Sequence, residues 1–312
     1  LLIARIIRLS FVKILRVRGH NKINLGIVSS KDIYVNTKKW FENRPWSGVK
    51  INHTYQVLEK KDYFNIVQSL KVGDYLVLDK KTITSKIYKD LIVIAEDIGI
   101  VIFEIINYAK ESNHNNSQIT KLGPFWTIKQ RPQPLKSAIN QINKRIFDFS
   151  MSLFFLVFFY WWMHLIIALF IKISSKGPVL YRQKRVGKDG NFFNCIKFRT
   201  MNIGTHNPNI ITTKNDPRIF KFGSFLRKSN LDEIPQFINV LLGEMSIVGP
   251  RPHMIKEDDM LAKELSKYRI RHWVRPGITG LAAVKGFRGG TENMDLMQKR
   301  IDFDIKYIES WS

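Results

Sequence analysis

Ile146-Phe-Asp-Phe-Ser-Met-Ser-Leu-Phe-Phe-Leu-Val-Phe-Phe-Tyr-Trp-Trp-Met-His-Leu-Ile-Ile-Ala-Leu-Phe-Ile-Lys-Ile173 is the stretch on which the fold turns. It exceeds the roughly 20 residues a helix needs to cross a bilayer. A helix apolar all round for this length has no ordinary place in a soluble core. Lys144 and Arg145 precede the run, and Lys172 and Lys176 close it. Cations at both ends predict that both ends face the cytoplasm. Trp161, Trp162 and His164 fall near the middle, although Trp favours the membrane interface. A re-entrant helix over 146–173, dipping into one leaflet and returning, satisfies both features better than a spanning one.

Upstream, Glu111 to Pro134 is polar and irregular, with Asn113, Asn115, Asn116, Gly123, Pro124, Pro132 and Pro134. That composition reads as a linker, placed at 111–138. Before it, from 19 to about 110, short apolar runs alternate with helical patterns. Leu25–Val28, Tyr75–Leu78 and Ile100–Phe103 read as buried strands, and Tyr63–Leu70 and Ser85–Glu96 as helices. The alternation predicts a small α/β domain with a parallel sheet. Its first turn reads Ser29-Ser-Lys-Asp32 instead of a glycine-rich phosphate loop, so nucleotide binding is unsupported there. Residues 1–18 carry Arg5, Arg8, Lys13, Arg16 and Arg18 among apolar pairs, a pattern for a basic amphipathic helix or the end of a membrane helix.

Downstream, Gly177–Gln183 and Asn191–Met201 read as paired strands joined by a turn at Gly187 to Gly190. Lys197 and Arg199 alternate with Ile196 and Phe198, which puts both cations on one face. A solvated strand face is the ordinary reading of such a pattern. Two adjacent acids follow in Leu231-Asp-Glu-Ile-Pro-Gln236, after Arg227-Lys228 and before Gly249-Pro-Arg-Pro252. A helix is predicted from about Asp232 through Leu242, with Pro235 in its first turn and Gly243 as its stop. Asp232 would then sit at the helix tip, where the dipole favours anions. Acids so close repel each other, and nearby cations make the site suited to phosphoryl chemistry.

The 312 residues suffice for two domains. Lys and Arg number 50 against 26 acids, a formal charge of +24, which implies an anionic partner: nucleic acid, an acidic membrane surface or a phosphorylated substrate. The 45% hydrophobic content argues against a disordered basic tail. No nucleic-acid recognition motif accompanies the charge. One cysteine, Cys195, allows no intrachain disulfide, and the seven histidines show no zinc spacing.

Lys144–Asp148, Lys197–Met201, Leu226–Gln236, Ser246–Pro252 and Arg275–Gly280 together resemble the bacterial sugar transferases, the monotopic polyprenyl-phosphate glycosyl-1-phosphate transferases. The likeness covers 139–312 in family order and spacing. It implies an α+β membrane-associated catalytic domain behind an α/β, degenerate Rossmann-like domain of the larger members. It also implies that the chain begins and ends inside a longer sequence. The expected reaction moves a sugar 1-phosphate from a nucleotide diphosphosugar, usually a UDP-sugar, to undecaprenyl phosphate, releasing UMP and starting exopolysaccharide, capsule or O-antigen assembly. By the resemblance Asp232 is the nucleophile and Glu233 helps hold Mg2+, while Arg227 and Arg251, then Lys197 and Arg199, then Arg275, serve phosphate oxygens. The expected place is the cytoplasmic face of a bacterial inner membrane; the oligomeric state, a homo-oligomer included, stays open.

Two departures stand out. The Ser-Pro break common in the family's membrane helix is replaced by Tyr160-Trp161, so no proline forces a bend. Ala283 and Lys285 stand where the family commonly has Gln and Asn, which leaves the sugar open. The alternative reading is a non-catalytic basic membrane scaffold in polysaccharide assembly, motivated by the charge excess and the degenerate front domain.

Overall fold

Strand β1 (Ile23–Val28) buries Leu25 and Ile27 toward one side and Val28 toward the other. A strand apolar on both faces belongs inside a covered parallel sheet. The structure, a computed structural model, describes residues 22–51, 60–105, 118–129, 131–203, 216–287 and 293–311. The helix expected over 1–18 lies outside them. The chain divides into two units, the first ending at Gln133 but also including Ser266–Trp273.

In the first unit, β1 is followed by helix α1 (Lys31–Glu42), β2 (Val49–Ile51), α2 (Lys60–Gln68), β3 (Tyr75–Leu78), α3 (Ser85–Ile98) and β4 (Val101–Ile105). The sheet order is β2-β1-β3-β4, all parallel. Leu76 and Leu78 pack with Ile66, Leu70 and Leu91 on one face; Val77 and Phe103 pack with Tyr34 and Phe41 on the other. A Cβ on Gly26 would lie 2.9 Å from Leu70 Cδ1, so glycine lets α2 settle close on β1. Strands β5 (Gln118–Leu122) and β6 (Phe125–Lys129) add an antiparallel hairpin beside β4. They arise in the stretch whose composition reads as linker, where Gly123 and Pro124 make the hairpin turn. Residues Ser266–Trp273 also belong here: Lys267 N donates to Asp97 Oδ1 (3.0 Å), and Trp273 Nε1 donates to the Gly99 carbonyl (2.6 Å).

The second unit opens with the apolar helix, α4 (Ala138–Phe155) and α5 (Trp161–Ser174), joined by a π-helical turn at Leu156–Tyr160. Backbone angles remain helical through Tyr160 (φ −63°, ψ −42°) and Trp161 (φ −62°, ψ −46°). The expected reversal therefore does not occur: without proline the interruption shrinks to a π-turn and one helix runs Ala138–Ser174. Its most apolar window has a mean hydropathy of 2.2 with 11% of it buried. Ile167 and Ile171 make the buried stripe, while Phe158, Trp161, Leu165 and Leu169 are exposed. So much contiguous exposed apolar surface needs cover. The flanking charges also read differently in three dimensions. Lys144 pairs with Asp148 (2.8 Å) and contacts Ser246, while Arg145 donates to the Val240 and Leu241 carbonyls (2.6 Å each). Cations spent inside the protein say nothing about which side of a membrane they face; only Lys172 and Lys176 remain exposed.

Beyond the helix come β7 (Leu180–Val186) and β8 (Phe192–Phe198), an antiparallel hairpin closing at Lys188–Gly190 as the turn signals predict. Then follow α6 (Lys221–Ser229), a 3-10 turn (Leu231–Glu233), α7 (Gln236–Leu242), β9 (Ser246–Val248), α8 (Ile255–Glu264), β10 (Gly277–Thr279), α9 (Leu281–Val284) and α10 (Met294–Ser310). β9 and β10 pair in parallel. Ile167 and Ile171 share a core with Phe198, Leu226 and Ile234, which seats the apolar helix directly beneath the acid pair's turn.

Candidate functional site

Asn230 ends α6 in the left-handed region (φ 58°, ψ 15°), a conformation Asn tolerates better than most residues. The chain re-enters at once as the 3-10 turn, so Asp232 and Glu233 sit on this elbow and α7 begins only at Gln236. The expected helix from Asp232 is thus corrected. Pro235 caps α7 from outside, and a seven-residue helix starting after the acids cannot supply the helix-tip field expected for Asp232. Gly243 ends α7 with φ 85°, as predicted.

The two carboxylates are both buried yet differ in what holds them. Arg251 Nη2 lies 2.8 Å from Glu233 Oε1 and its Nη1 3.2 Å from Oε2, while Lys197 Nζ reaches Oε1 at 2.8 Å. Burial alone would raise the Glu233 pKa; Lys197 and Arg251 outweigh it and hold the carboxyl well below the usual range. Asp232 accepts no hydrogen bond from any described residue and is 9% exposed. Burial pushes its pKa up, opposed first by Lys197, reinforced by Glu233, and opposed again by Arg227 and Arg251. One acid is a fixed anion; its neighbour is a desolvated carboxyl with cations in its field and no hydrogen bond to the described residues.

The cations divide into two groups. Lys197 and Arg251 pair directly with Glu233, and Arg227 bears electrostatically on Asp232 while its Nε donates to Thr200 Oγ1 (2.8 Å). Arg199 and Arg275 make their hydrogen bonds away from the acid pair. Arg199 donates to Pro178 O (2.6 Å), Ser175 Oγ (2.8 Å), Ser175 O (2.7 Å) and Met201 O (3.0 Å), closing the carbonyls at the end of the apolar helix. Arg275 Nε donates to Gly243 O (2.6 Å), at the end of α7.

Two residues that sequence reading passed over complete the frame. Arg185 Nη1 donates to Pro252 O (3.0 Å), bracing the Pro-Arg-Pro turn that carries Arg251. Its strand alternation was available, but a charged hairpin face ordinarily signals solvent. Asn239, fully buried on α7, accepts from Ile196 N (3.0 Å) and donates to Asn194 O (2.8 Å), locking β8 and hence Lys197 against the helix after the acids. No cluster of three metal-ligating side chains occurs among the described residues. The donor chemistry nonetheless fits Mg2+, which takes one or two carboxylates plus substrate oxygens, and Glu233 is the acid kept ionised.

Residues 139–312 match the family model described as bacterial sugar transferase. A Klebsiella pneumoniae protein named UDP-glucose:undecaprenyl-phosphate glucose-1-phosphate transferase is 32% identical over 94% of this chain and 65% of its own length. A Xanthomonas campestris protein of the same name is 51% identical over 49% of this chain and 32% of its own. An Aeromonas hydrophila protein named UDP-N-acetylgalactosamine-undecaprenyl-phosphate N-acetylgalactosaminephosphotransferase is 40% identical over 46% of this chain and 34% of its own. The chain spans about two thirds of the length of the relatives it matches along nearly all of itself.

Proposed function

The chain belongs to the bacterial sugar transferase family, and from that premise we propose that it transfers a sugar 1-phosphate from a UDP-sugar to undecaprenyl phosphate at a membrane surface. The relatives' names support the reaction class, and the exposed apolar helix supports a membrane setting. The observation that supports the mechanism is the contrast between Glu233, tied by Lys197 and Arg251, and Asp232, which accepts no hydrogen bond from the described residues.

In this reading an Asp232 oxygen attacks the sugar-bearing phosphorus of the donor. A P–O bond forms to the carboxylate, the bond to the other phosphate breaks, and UMP leaves with the electron pair. An oxygen of undecaprenyl phosphate then attacks the same phosphorus, the aspartyl P–O bond breaks, and the carboxylate is restored. Desolvation favours the attack, since Asp232 has no hydrogen bond to the described residues to shed on reacting. Anion meeting anion is the difficulty, and Lys197, Arg227 and Arg251 offset the repulsion. Glu233 holds Arg251 and Lys197 in place and would hold Mg2+, which when bound supplies charge neutralisation for the diphosphate. We place the activity on the cytoplasmic face, where UDP-sugars are made.

The deciding experiment is UMP release from a UDP-sugar and undecaprenyl phosphate by the membrane-bound protein and its Asp232→Asn variant. The variant should stay in the membrane and release no UMP. Full turnover in it would remove Asp232 as nucleophile.

A further inference from the structure

Lys144 and Asp148 belong to the sequence pattern on which the family resemblance rests, yet the steps above give them nothing to do. They stand one turn apart on α4, the first stretch of the apolar helix, and Asp148 is only 3% exposed. A buried charge is costly unless it is paired and hydrogen-bonded. Asp148 Oδ1 accepts from Lys144 Nζ at 2.8 Å and from Ile247 N at 3.1 Å. Lys144 Nζ also donates to Ser246 Oγ, and that hydroxyl donates in turn to Val248 O at 2.9 Å. Tyr307 on α10 donates to the same carbonyl at 2.8 Å; burial, and Asp148 after it, raise its pKa, so the phenol keeps its proton. Every residue of β9 is therefore held: Ser246 by its side chain, Ile247 by its amide and Val248 by its carbonyl. The Ile247 side chain packs on Cys195 and its cluster, two residues along β8 from Lys197.

β9 runs straight into Gly249, Pro250 and Arg251, and the step is stiff. Gly249 N donates to Thr279 O and Gly277 N to Pro250 O, both at 2.8 Å. A Cβ on Gly277 would stand 2.1 Å from Gly249 N, and one on Gly249 would stand 2.5 Å from Arg275 O. Close-packed backbone transmits a displacement because it has no slack to absorb one. A shift of β9 is thus a shift of Arg251 relative to Glu233.

We propose that Asp148, acting with Lys144 and Ser246, is a positioning residue for the reaction: these side chains fix β9, and β9 fixes the Arg251 guanidinium on Glu233 and near Asp232. The proposal rests on the transferase reading above and adds the residues through which the seat of the apolar helix is felt at the acid pair.

The charges that bear on Asp232 come from Lys197 on β8, the adjacent Glu233, Arg227 on α6 and Arg251 after β9. Letting Arg251 drift removes one opponent of burial, so the Asp232 pKa rises further. Deleting the Asp148 charge through space alone would do the reverse, and Ser246→Ala deletes no charge at all. The sign of the shift therefore separates displacement from field.

The test is the pH profile of kcat/KM for UMP release by the full membrane-bound protein, with Ser246→Ala and Asp148→Asn beside the parent. Both variants should lose about tenfold or more at neutral pH, since misplacing a catalytic group by about 1 Å costs up to ~100-fold. Both should also move the acid limb of the profile to higher pH. Loss of folded protein lowers the whole profile and leaves the limb in place. An unmoved limb, whatever the melting temperature does, or a limb moved to lower pH would overturn the proposal. Tyr307→Phe keeps the ring and removes one donor from Val248 O, so it should move the limb the same way by less. Where the other variants fail to fold, Tyr307→Phe decides, and an unmoved limb in it overturns the proposal. A parent protein that releases UMP from no UDP-sugar brings down the transferase reading and this proposal with it. An active parent whose limb stays fixed in the variants brings down this proposal alone.

Discussion

Arg251 holds Glu233 with both prongs of its guanidinium, at 2.8 and 3.2 Å, while Lys197 takes the same Oε1 at 2.8 Å. A carboxylate so engaged organises cations and cannot readily attack. Glu233→Gln should therefore cost turnover by releasing Arg251 and Lys197, and it should flatten the dependence of rate on Mg2+. A magnesium titration of the variant checks this. An unaltered half-saturation concentration would take Glu233 out of the metal's reach.

Lys197 is the strongest influence opposing burial at Asp232, and Glu233 is the acid that reinforces burial. On the proposed mechanism Asp232 attacks as the carboxylate, so kcat/KM should fall as pH drops through its raised pKa. Lys197→Met removes the opposing cation and should move this acid limb to higher pH. Glu233→Gln should move it to lower pH. Measured pH profiles that shift together, or not at all, would contradict the assignment.

The same burial carries a stability consequence. Asp232 titrates higher folded than unfolded, so its ionised form costs the fold free energy above the folded pKa, and that cost vanishes below the unfolded one. Asp232→Asn should thus melt at a higher temperature than the parent protein near neutral pH. The gap should close as pH falls through the carboxylate range. Thermal unfolding in detergent reads both, and a lower melting temperature for the variant at neutral pH would count against a strained Asp232.

Much of this was legible in the residues. Leu25–Val28 and Tyr75–Leu78 read as strands because a covered parallel sheet demands apolar residues on both faces. The β5–β6 hairpin was not legible, since Gly123 and Pro124 serve a hairpin turn as well as a linker. Lys197 and Arg199 share strand alternation, yet one meets Glu233 and the other closes the end of a helix. Nothing local distinguishes a cation awaiting phosphate from one satisfying orphan carbonyls; that is settled by where a distant segment ends. Asn239 escaped notice for a related reason: an Asn inside Phe237-Ile-Asn-Val-Leu-Leu242 gives no sign that it clamps β8.

Arg199 is bound into the fold by its own hydrogen bonds. Its guanidinium makes four hydrogen bonds around Ser175, Pro178 and Met201, and no lysine can reproduce that fork. Arg199→Ala should destabilise the second unit by about 2–4 kcal/mol through the orphaned carbonyls. The KM for the donor should be unchanged in whatever fraction remains folded. A raised KM with unaltered melting would return Arg199 to the phosphate-binding set.

Gly223, on the inner face of α6, tests how the frame governs the site. A Cβ there would lie 2.3 Å from the Thr200 carbonyl oxygen, a backbone atom that cannot swing away. Thr200 is also the residue whose Oγ1 receives Arg227 Nε, and Arg227 bears on Asp232. Gly223→Ala must therefore push α6 off β8's end, at a cost of about 1–3 kcal/mol for overpacking, and carry Arg227 with it. Turnover should fall further than Arg227→Ala alone predicts from charge, because the displacement also disturbs the elbow at Asn230. Lys228→Ala, on the exposed side of the same helix, should change neither melting nor rate. Comparable effects from both substitutions would mean that α6 acts through its net charge and that the close approach at Gly223 has no bearing on Asp232.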